Sequence, residues 1–162
     1  MKLIISDILC EFLDNCGEDI IITNNGNVHN CIGCFGCWIK TPGQCLIRDG
    51  YETMGKNLSL CSELILISEC VYGSTSPFVK NILDRSISYI HPNFCIRNGE
   101  MHHKRRYDNV VNISAYFYGE NITEQEKETS RKLIKANAVN FDGNVGKIAF
   151  FNSIEELRGI KI

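Results

Sequence analysis

The chain has 162 residues, the size of one ordinary domain, so the sequence predicts a single domain over residues 1–162. Lysine and arginine total 17 against 19 aspartate and glutamate, and the net charge of −2 provides no long-range field to attract nucleic acid or an anionic membrane. No apolar run approaches the roughly 20 residues of a membrane-spanning helix, and Asp7, Glu11 and Asp14 come too early for a signal peptide. The sequence therefore predicts a cytoplasmic protein that binds neither nucleic acid nor membrane.

In the first half of the chain, short apolar runs alternate with helical patterns, which is typical of a parallel sheet covered on both faces. In chain order the predicted elements are strand Lys2–Ser6, helix Asp7–Asn15, strand Asp19–Thr23, helix Tyr51–Leu60 and strand Glu63–Ser68. Residues 28–50 form an irregular, cysteine-rich excursion between the second strand and the second helix.

The second half continues the alternation, and two helices carry clear start signals. Ser76 and Pro77 suit a cap and a first helical turn, and Thr123-Glu124-Gln125-Glu126 is a capping box. The predicted elements are helix Phe78–Ile90, polar loop His91–Tyr107, strand Val110–Tyr116, helix Thr123–Asn137, strand Lys147–Phe151 and short helix Ser153–Arg158.

Five strands with helices between them favour an open, doubly wound parallel sheet in the order 2-1-3-4-5, within an α/β/α sandwich of three layers. Ligands of such sheets bind outside the carboxyl ends of strands one and three, where the strand order reverses. The sequence therefore predicts one crevice there, walled by the cysteine-rich excursion and by the loop after the third strand.

Nine cysteines are present, and four of them, Cys31, Cys34, Cys37 and Cys45, lie close together in the excursion. Two successive two-residue spacers allow three thiolates to converge, as in iron–sulfur ligation, and Cys45 is a candidate fourth ligand. Zinc would accept the same four thiolates, and a redox-active Cys-x-x-Cys pair is a third interpretation. A glycine-rich turn whose cysteines pack under Trp38 is the alternative without chemistry.

The loop after the third strand reads Cys70-Val-Tyr-Gly-Ser-Thr-Ser-Pro77. Small residues with free backbone amides at a helix N-terminus make a polar pocket that tolerates anions, and Tyr72 offers a flat stacking surface. An ordinary strand-to-helix connection with a good cap is the alternative interpretation.

Together, the segments Cys31-Ile-Gly-Cys-Phe-Gly-Cys-Trp-Ile-Lys-Thr-Pro-Gly-Gln-Cys-Leu-Ile-Arg-Asp49 and Cys70-Val-Tyr-Gly-Ser-Thr-Ser-Pro-Phe-Val-Lys-Asn-Ile-Leu-Asp-Arg85 resemble the flavodoxin-like NAD(P)H-dependent FMN reductases and iron–sulfur flavoproteins. The resemblance runs from about residue 30 to residue 90. That family usually has proline where Cys70 stands and a second acid where Gly50 stands.

The resemblance implies a flavodoxin-like fold with FMN as cofactor and NAD(P)H as electron donor, the acceptor being a small molecule or a partner protein. It implies a homodimer or homotetramer, and it makes Lys80, Asp84 and Arg85 helix and subunit-contact residues. In the iron–sulfur branch the compact cysteine motif carries a four-iron (4Fe-4S) cluster, with a shorter last spacer than here. The residues placed beside the flavin ring are Tyr72, Gly73, Ser74, Thr75, Ser76, Phe117, Tyr118 and Gly119.

The chain departs from that family at the first strand, where a loop rich in small residues normally cradles the FMN phosphate. Here Ser6-Asp7 leads directly into Ile8, and an anion cradle needs several backbone amides on a permissive turn. The basic run from His102 to Arg106 could supply compensating charge or bind the phosphates of a nicotinamide cofactor, or it could be a solvated loop.

Three hypotheses about function follow. The first, which is the function predicted here through the resemblance, is an FMN-dependent oxidoreductase that takes hydride from NAD(P)H. The second is an electron-transfer or sensing protein centred on the four cysteines of the excursion. The third is a domain without cofactor that works by binding a partner.

Overall fold

The computed structural model describes residues 1–8, 18–158 and 160. Its seven strands are β1 (Lys2–Ser6), β2 (Ile20–Thr23), β3 (Glu63–Glu69), β4 (Ile90–Arg97), β5 (Glu100–Arg105), β6 (Asn112–Tyr118) and β7 (Asn144–Phe151). Its four α-helices are α1 (Gly36–Ile39), α2 (Met54–Ser59), α3 (Pro77–Arg85) and α4 (Glu124–Asn140). Two short 3-10 helices cover Ile87–Tyr89 and Glu155–Leu157.

Five of the strands form one parallel sheet in the order β2-β1-β3-β6-β7, and β4 and β5 form a separate two-stranded sheet. Every neighbouring pair in the large sheet is parallel, with Ile4 level with Ile21 and Ile65. Counted within that sheet, the order is 2-1-3-4-5. The predicted number, direction and order of its strands are therefore confirmed.

The central strands are buried on both faces because their apolar residues are continuous rather than alternating. Leu3, Leu66 and Phe117 point to the face covered by α2, α3 and α4. On the opposite face, Ile4 and Ile65 pack with a cluster to which Ile8, Leu157, Ile154 and Ile160 contribute. The predicted helix Asp7–Asn15 falls largely on residues 9–17, which lie outside the described residues; Asp7 and Ile8 themselves form a bend.

The prediction of a polar loop at His91–Tyr107 is wrong, because β4 and β5 pair there as an antiparallel hairpin. Asn98 and Gly99 form the turn with φ angles of 51° and 82°, the left-handed geometry that two-residue hairpin turns require. Asn-Gly is the strongest short hairpin signal, but the polar residues of β5 and the proline within β4 obscured it.

The remaining differences concern helix ends. The helix predicted over Phe78–Ile90 ends at Arg85, after which the 3-10 turn and then β4 begin. The capping box at Thr123 and Glu126 is confirmed, since each side chain binds the other residue's backbone N–H. The predicted closing helix is only the 3-10 turn Glu155–Leu157. In the part of the chain that is described, no helix combines the length and apolar character needed to cross a membrane.

Candidate functional site

The four cysteines of the excursion lie around one cavity of about 370 Å³, called here the cysteine cavity. Cys31 and Cys34 are exposed, Cys37 is half-buried and Cys45 is buried. The far wall comes from the C-terminal end of α3. The full lining is Cys31, Ile32, Gly33, Cys34, Phe35, Cys37, Trp38, Cys45, Ile47, Asp84, Arg85 and Ile87.

Local geometry explains why the four cysteines line one cavity. Gly33 has a φ of 62°, which glycine adopts without strain, and a side chain at Gly36 would collide with Leu46. After α1, the N–H of Gly43 donates to the carbonyl of Cys37 at 3.0 Å, and this turn brings the chain back towards Cys45. Gly33 and Gly36 therefore permit the tight backbone of the cysteine motif.

The electrostatics of the cysteine cavity show that its thiols influence one another. Burial, followed by the charges of Cys45, Cys31 and Cys34, raises the pKa of the Cys37 thiol. A metal must therefore displace a proton from Cys37, because thiolates rather than thiols are ligands.

The donor set fits a soft metal or an iron–sulfur cluster, since four thiolates from one segment are what such centres use. Among residues 1–8, 18–158 and 160, however, no three His, Cys, Asp or Glu side chains are already arranged to hold a metal ion. The exposed stretch from Cys31 to Cys34 would have to close over the buried side of the cavity on binding. The metal site at Cys31, Cys34, Cys37 and Cys45 stays a prediction.

A buried ion pair attaches the cysteine segment to α3. The Arg85 side chain is 0% exposed and that of Asp49 is 1% exposed, and they form two hydrogen bonds of 2.7 and 2.9 Å. The Asp49 carboxylate also accepts the backbone N–H groups of His29 and Tyr51. The resemblance implies that Arg85 is a helix and subunit-contact residue. In the structure its side chain is instead buried, where it binds the excursion.

The hairpin completes this side of the molecule through tilted ring contacts. The His103 ring lies 5.0 Å from that of Trp38 and 4.5 Å from that of Phe94, centroid to centroid. One ring nitrogen of His103 is 2.8 Å from the carbonyl oxygen of His91. These contacts hold the hairpin against the excursion.

The basic run of the hairpin is mostly engaged in structural contacts. Arg105 pairs with Asp142, and the Nε of Arg106 donates to the carbonyl of Ser88. Lys104 is exposed. Phosphate binding by this run stays a prediction, and few of its basic side chains are left without structural contacts to support it.

The loop after β3 is a tight turn in which Val71 and Ser74 exchange backbone hydrogen bonds. Tyr72 has a φ of 51° and is 90% exposed at its tip, and Gly73 packs on α4, where its carbonyl accepts the Ser130 hydroxyl. The predicted cap is confirmed, because Ser76 accepts the N–H of Val79. Thr75 and Ser76 are buried.

The other predicted flavin neighbours lie at the end of β6 and directly after it, and they differ in accessibility. Phe117 is fully buried and stacks on Phe150 in the core. Tyr118 and Gly119 line a cavity of about 510 Å³, whose wall also contains three carboxylates. Its lining is Glu69, Cys70, Tyr118, Gly119, Glu120, Asn152, Ser153, Ile154 and Glu155.

At the carboxyl end of β1, the family that the sequence resembles has its phosphate-binding loop. This chain has the carboxylate of Asp7 there. Asp7 accepts the backbone N–H of Glu69 and the hydroxyl of Tyr118, both at 2.9 Å. Burial, and then the charge of Asp7, raises the pKa of Tyr118, so its phenol keeps the proton that it donates. The described residues at this edge do not fit a phosphate, because their donors are taken by an anion of the protein itself.

The two predicted segments do not meet in either of these two cavities. The cysteine cavity contains no residue of 70–76 in its wall, and the cavity beside Tyr118 contains none of the four cysteines. The turn after β3 leads into the N-terminus of α3, whereas the excursion reaches its C-terminus, where Arg85 and Asp49 hold it. With a rise of about 1.5 Å per residue, roughly 12 Å of helix lies between Pro77 and Arg85. Asn30 of the excursion reaches an intermediate point, where its side-chain oxygen accepts from Asn81 at 3.0 Å.

Comparisons with known proteins do not assign this chain to a family. Searched against models of protein families, the chain matches none, and no curated protein matches it either. The case for a function therefore rests on the cysteine cavity and on its neighbours in the fold.

Proposed function

We propose that this protein is a flavodoxin-like electron-transfer protein whose redox centre is an iron–sulfur cluster held by Cys31, Cys34, Cys37 and Cys45. The observation that carries the proposal is that all four cysteines line one cavity beside a buried guanidinium. The strand order β2-β1-β3-β6-β7, with three helices on one face, supports the flavodoxin-like assignment.

The residues of the chain have defined roles in this proposal. When bound, a four-iron cluster supplies one-electron chemistry. The four thiolates hold it, the rings of Phe35 and Trp38 exclude water from one side, and Arg85 offsets part of the negative charge of the thiolates. Cys31 and Cys34 at the exposed rim leave the centre open to a small acceptor or a partner protein.

Metal analysis of anaerobically prepared protein tests the proposal. We expect about four iron and four sulfide per chain, with a broad visible absorption that bleaches on reduction with dithionite. One zinc per chain without iron would replace the proposal with a structural metal site. Protein that contains neither metal, and that takes up neither on reconstitution, would refute it.

An FMN-dependent NAD(P)H oxidoreductase is the second candidate, and Tyr72 is the observation that favours it. Its ring is 90% exposed at the tip of the turn that follows β3. Bases and flavin rings stack on such aromatic surfaces, although Asp7 opposes the phosphate end of the cofactor. Ring stacking would quench flavin fluorescence.

Titration with FMN tests this candidate. We expect wild-type protein to quench FMN fluorescence and Tyr72→Ala to lose that quenching, since an exposed side chain can be removed without unfolding the chain. No quenching by wild-type protein up to high micromolar FMN would refute flavin binding.

A further inference from the structure

Arg85 donates four hydrogen bonds to the excursion. Its Nη1 donates to the carbonyl of His29 at 2.9 Å and to Asp49 at 2.7 Å. Its Nη2 donates to the carbonyl of Ile47 at 3.2 Å and to the other Asp49 oxygen at 2.9 Å. These contacts explain the structural role of the guanidinium, but they leave one N–H group unused.

The unused group is the Nε–H. Nε is buried and has no hydrogen-bond partner in the described part of the chain, an arrangement that is costly for a charged group. Arg85 and Cys45 both line the cysteine cavity. Asp49 comes first among the groups that raise the pKa of Arg85, and the nearby Cys45 side chain also contributes.

A thiol sulfur is a weak acceptor, whereas a thiolate accepts a charge-assisted hydrogen bond. The Nε–H therefore gains a proper partner when Cys45 carries negative charge as a metal ligand. We infer that Arg85 is the positioning residue of the cysteine site, with its Nε–H donating to the ligand sulfur of Cys45. This inference rests on the proposed function.

This assignment has a redox consequence. If the cysteines held an iron–sulfur cluster, reduction by one electron would make that centre more negative by one charge, and no bond would form or break. A hydrogen bond to a ligand sulfur from a buried cation stabilises that more negative state. Arg85 should therefore raise the reduction potential of the centre.

Two variants separate this role from the structural one. Arg85→Lys keeps a cation that can pair with Asp49, but lysine has no N–H at the Nε position. Asp49→Asn keeps the Nε–H and removes the buried carboxylate instead. Both disturb the same buried pair, so a purely structural role predicts similar losses of stability and similar changes at the cysteines.

The reduction equilibrium of reconstituted wild-type, Arg85→Lys and Asp49→Asn protein is the deciding measurement, made by anaerobic titration with dithionite and mediator dyes. We expect the equilibrium constant for reduction to fall about tenfold in Arg85→Lys and to stay equal or rise in Asp49→Asn. An unchanged equilibrium in Arg85→Lys, or shifts of both variants in the same direction, would overturn the inference.

A measurement on wild-type protein covers the case in which Arg85→Lys fails to fold or iron does not bind. With ¹¹³Cd²⁺ as the probe metal, we expect one arginine Nε–H signal to move downfield and to show scalar coupling to cadmium through the sulfur. Cadmium binding with no such coupled signal overturns the role of Arg85 alone. Absence of iron binding overturns the proposed function alone, and absence of both metals overturns both.

Discussion

The Asp49→Asn variant is expected to lose about 3 to 5 kcal/mol of unfolding free energy at neutral pH, because it leaves the guanidinium of Arg85 buried without a counter-charge. Both side chains are almost fully inaccessible to water, so solvent cannot compensate. The loss should show in urea unfolding as a lower midpoint with an unchanged slope. A loss below about 1 kcal/mol, as at a surface ion pair, would contradict it.

The matched control is Asp84→Asn. Asp84 also pairs with a base, Lys80, at 2.6 Å, but both of these side chains are about half exposed or more. Screening by water and the ordering of two long side chains limit the stabilisation that such an exposed ion pair provides. We therefore expect Asp84→Asn to lose no more than about 0.5 kcal/mol of unfolding free energy.

The same pair predicts the acid sensitivity of the fold. Hydrogen bonds from Arg85, opposed by burial and aided by the N–H groups of His29 and Tyr51, hold the pKa of the Asp49 carboxyl well below its usual range. A depressed pKa contributes stability that is complete above the unfolded value of about 3.9 and is lost as the pH falls through the folded value. Wild-type stability should therefore drop below about pH 4, and that part of the acid slope should vanish in Asp49→Asn.

The second large effect concerns the cysteines. Cys37→Ser is expected to reduce bound iron after reconstitution by more than about tenfold, since losing a ligand costs more than the 10- to 100-fold typical of its outer-shell partners. Serine keeps the size of the side chain, but its hydroxyl does not become an anionic ligand at neutral pH. Iron and sulfide assays on anaerobic protein measure the effect.

Cys70→Ser is the control for that experiment. Cys70 is half-buried like Cys37, but it lies at the carboxyl end of β3 with its sulfur 3.7 Å from the Ser130 hydroxyl. It should keep the full iron content. Equal iron in the two variants would show that the cysteine cavity is not where the cluster binds.

Local patterns were sufficient for most of the sheet. A few neighbouring residues were enough to predict each of several elements. These are the continuous apolar run of β3, the short apolar runs of β1 and β2, and the capping box of α4. Since right-handed crossovers admit few arrangements of such elements, the strand order followed as well. The hairpin β4–β5 was missed because β5 is mostly polar and Pro92 interrupts β4, although Ile90, Phe94 and Ile96 alternate with polar residues.

The sequence by itself determined the α/β class, the strand order and the presence of four cysteines at ligand-like spacing, because each of these is written in neighbouring residues. Only the tertiary structure decided which charges meet. Arg85 and Asp49 are 36 residues apart and Tyr118 and Asp7 are 111 apart, and no local period encodes either contact. The first pairing attaches the cysteine segment to one end of α3, because a buried charge must lie where its counter-charge lies. Among the described residues, the second fixes the Asp7 carboxylate at the carboxyl end of β1.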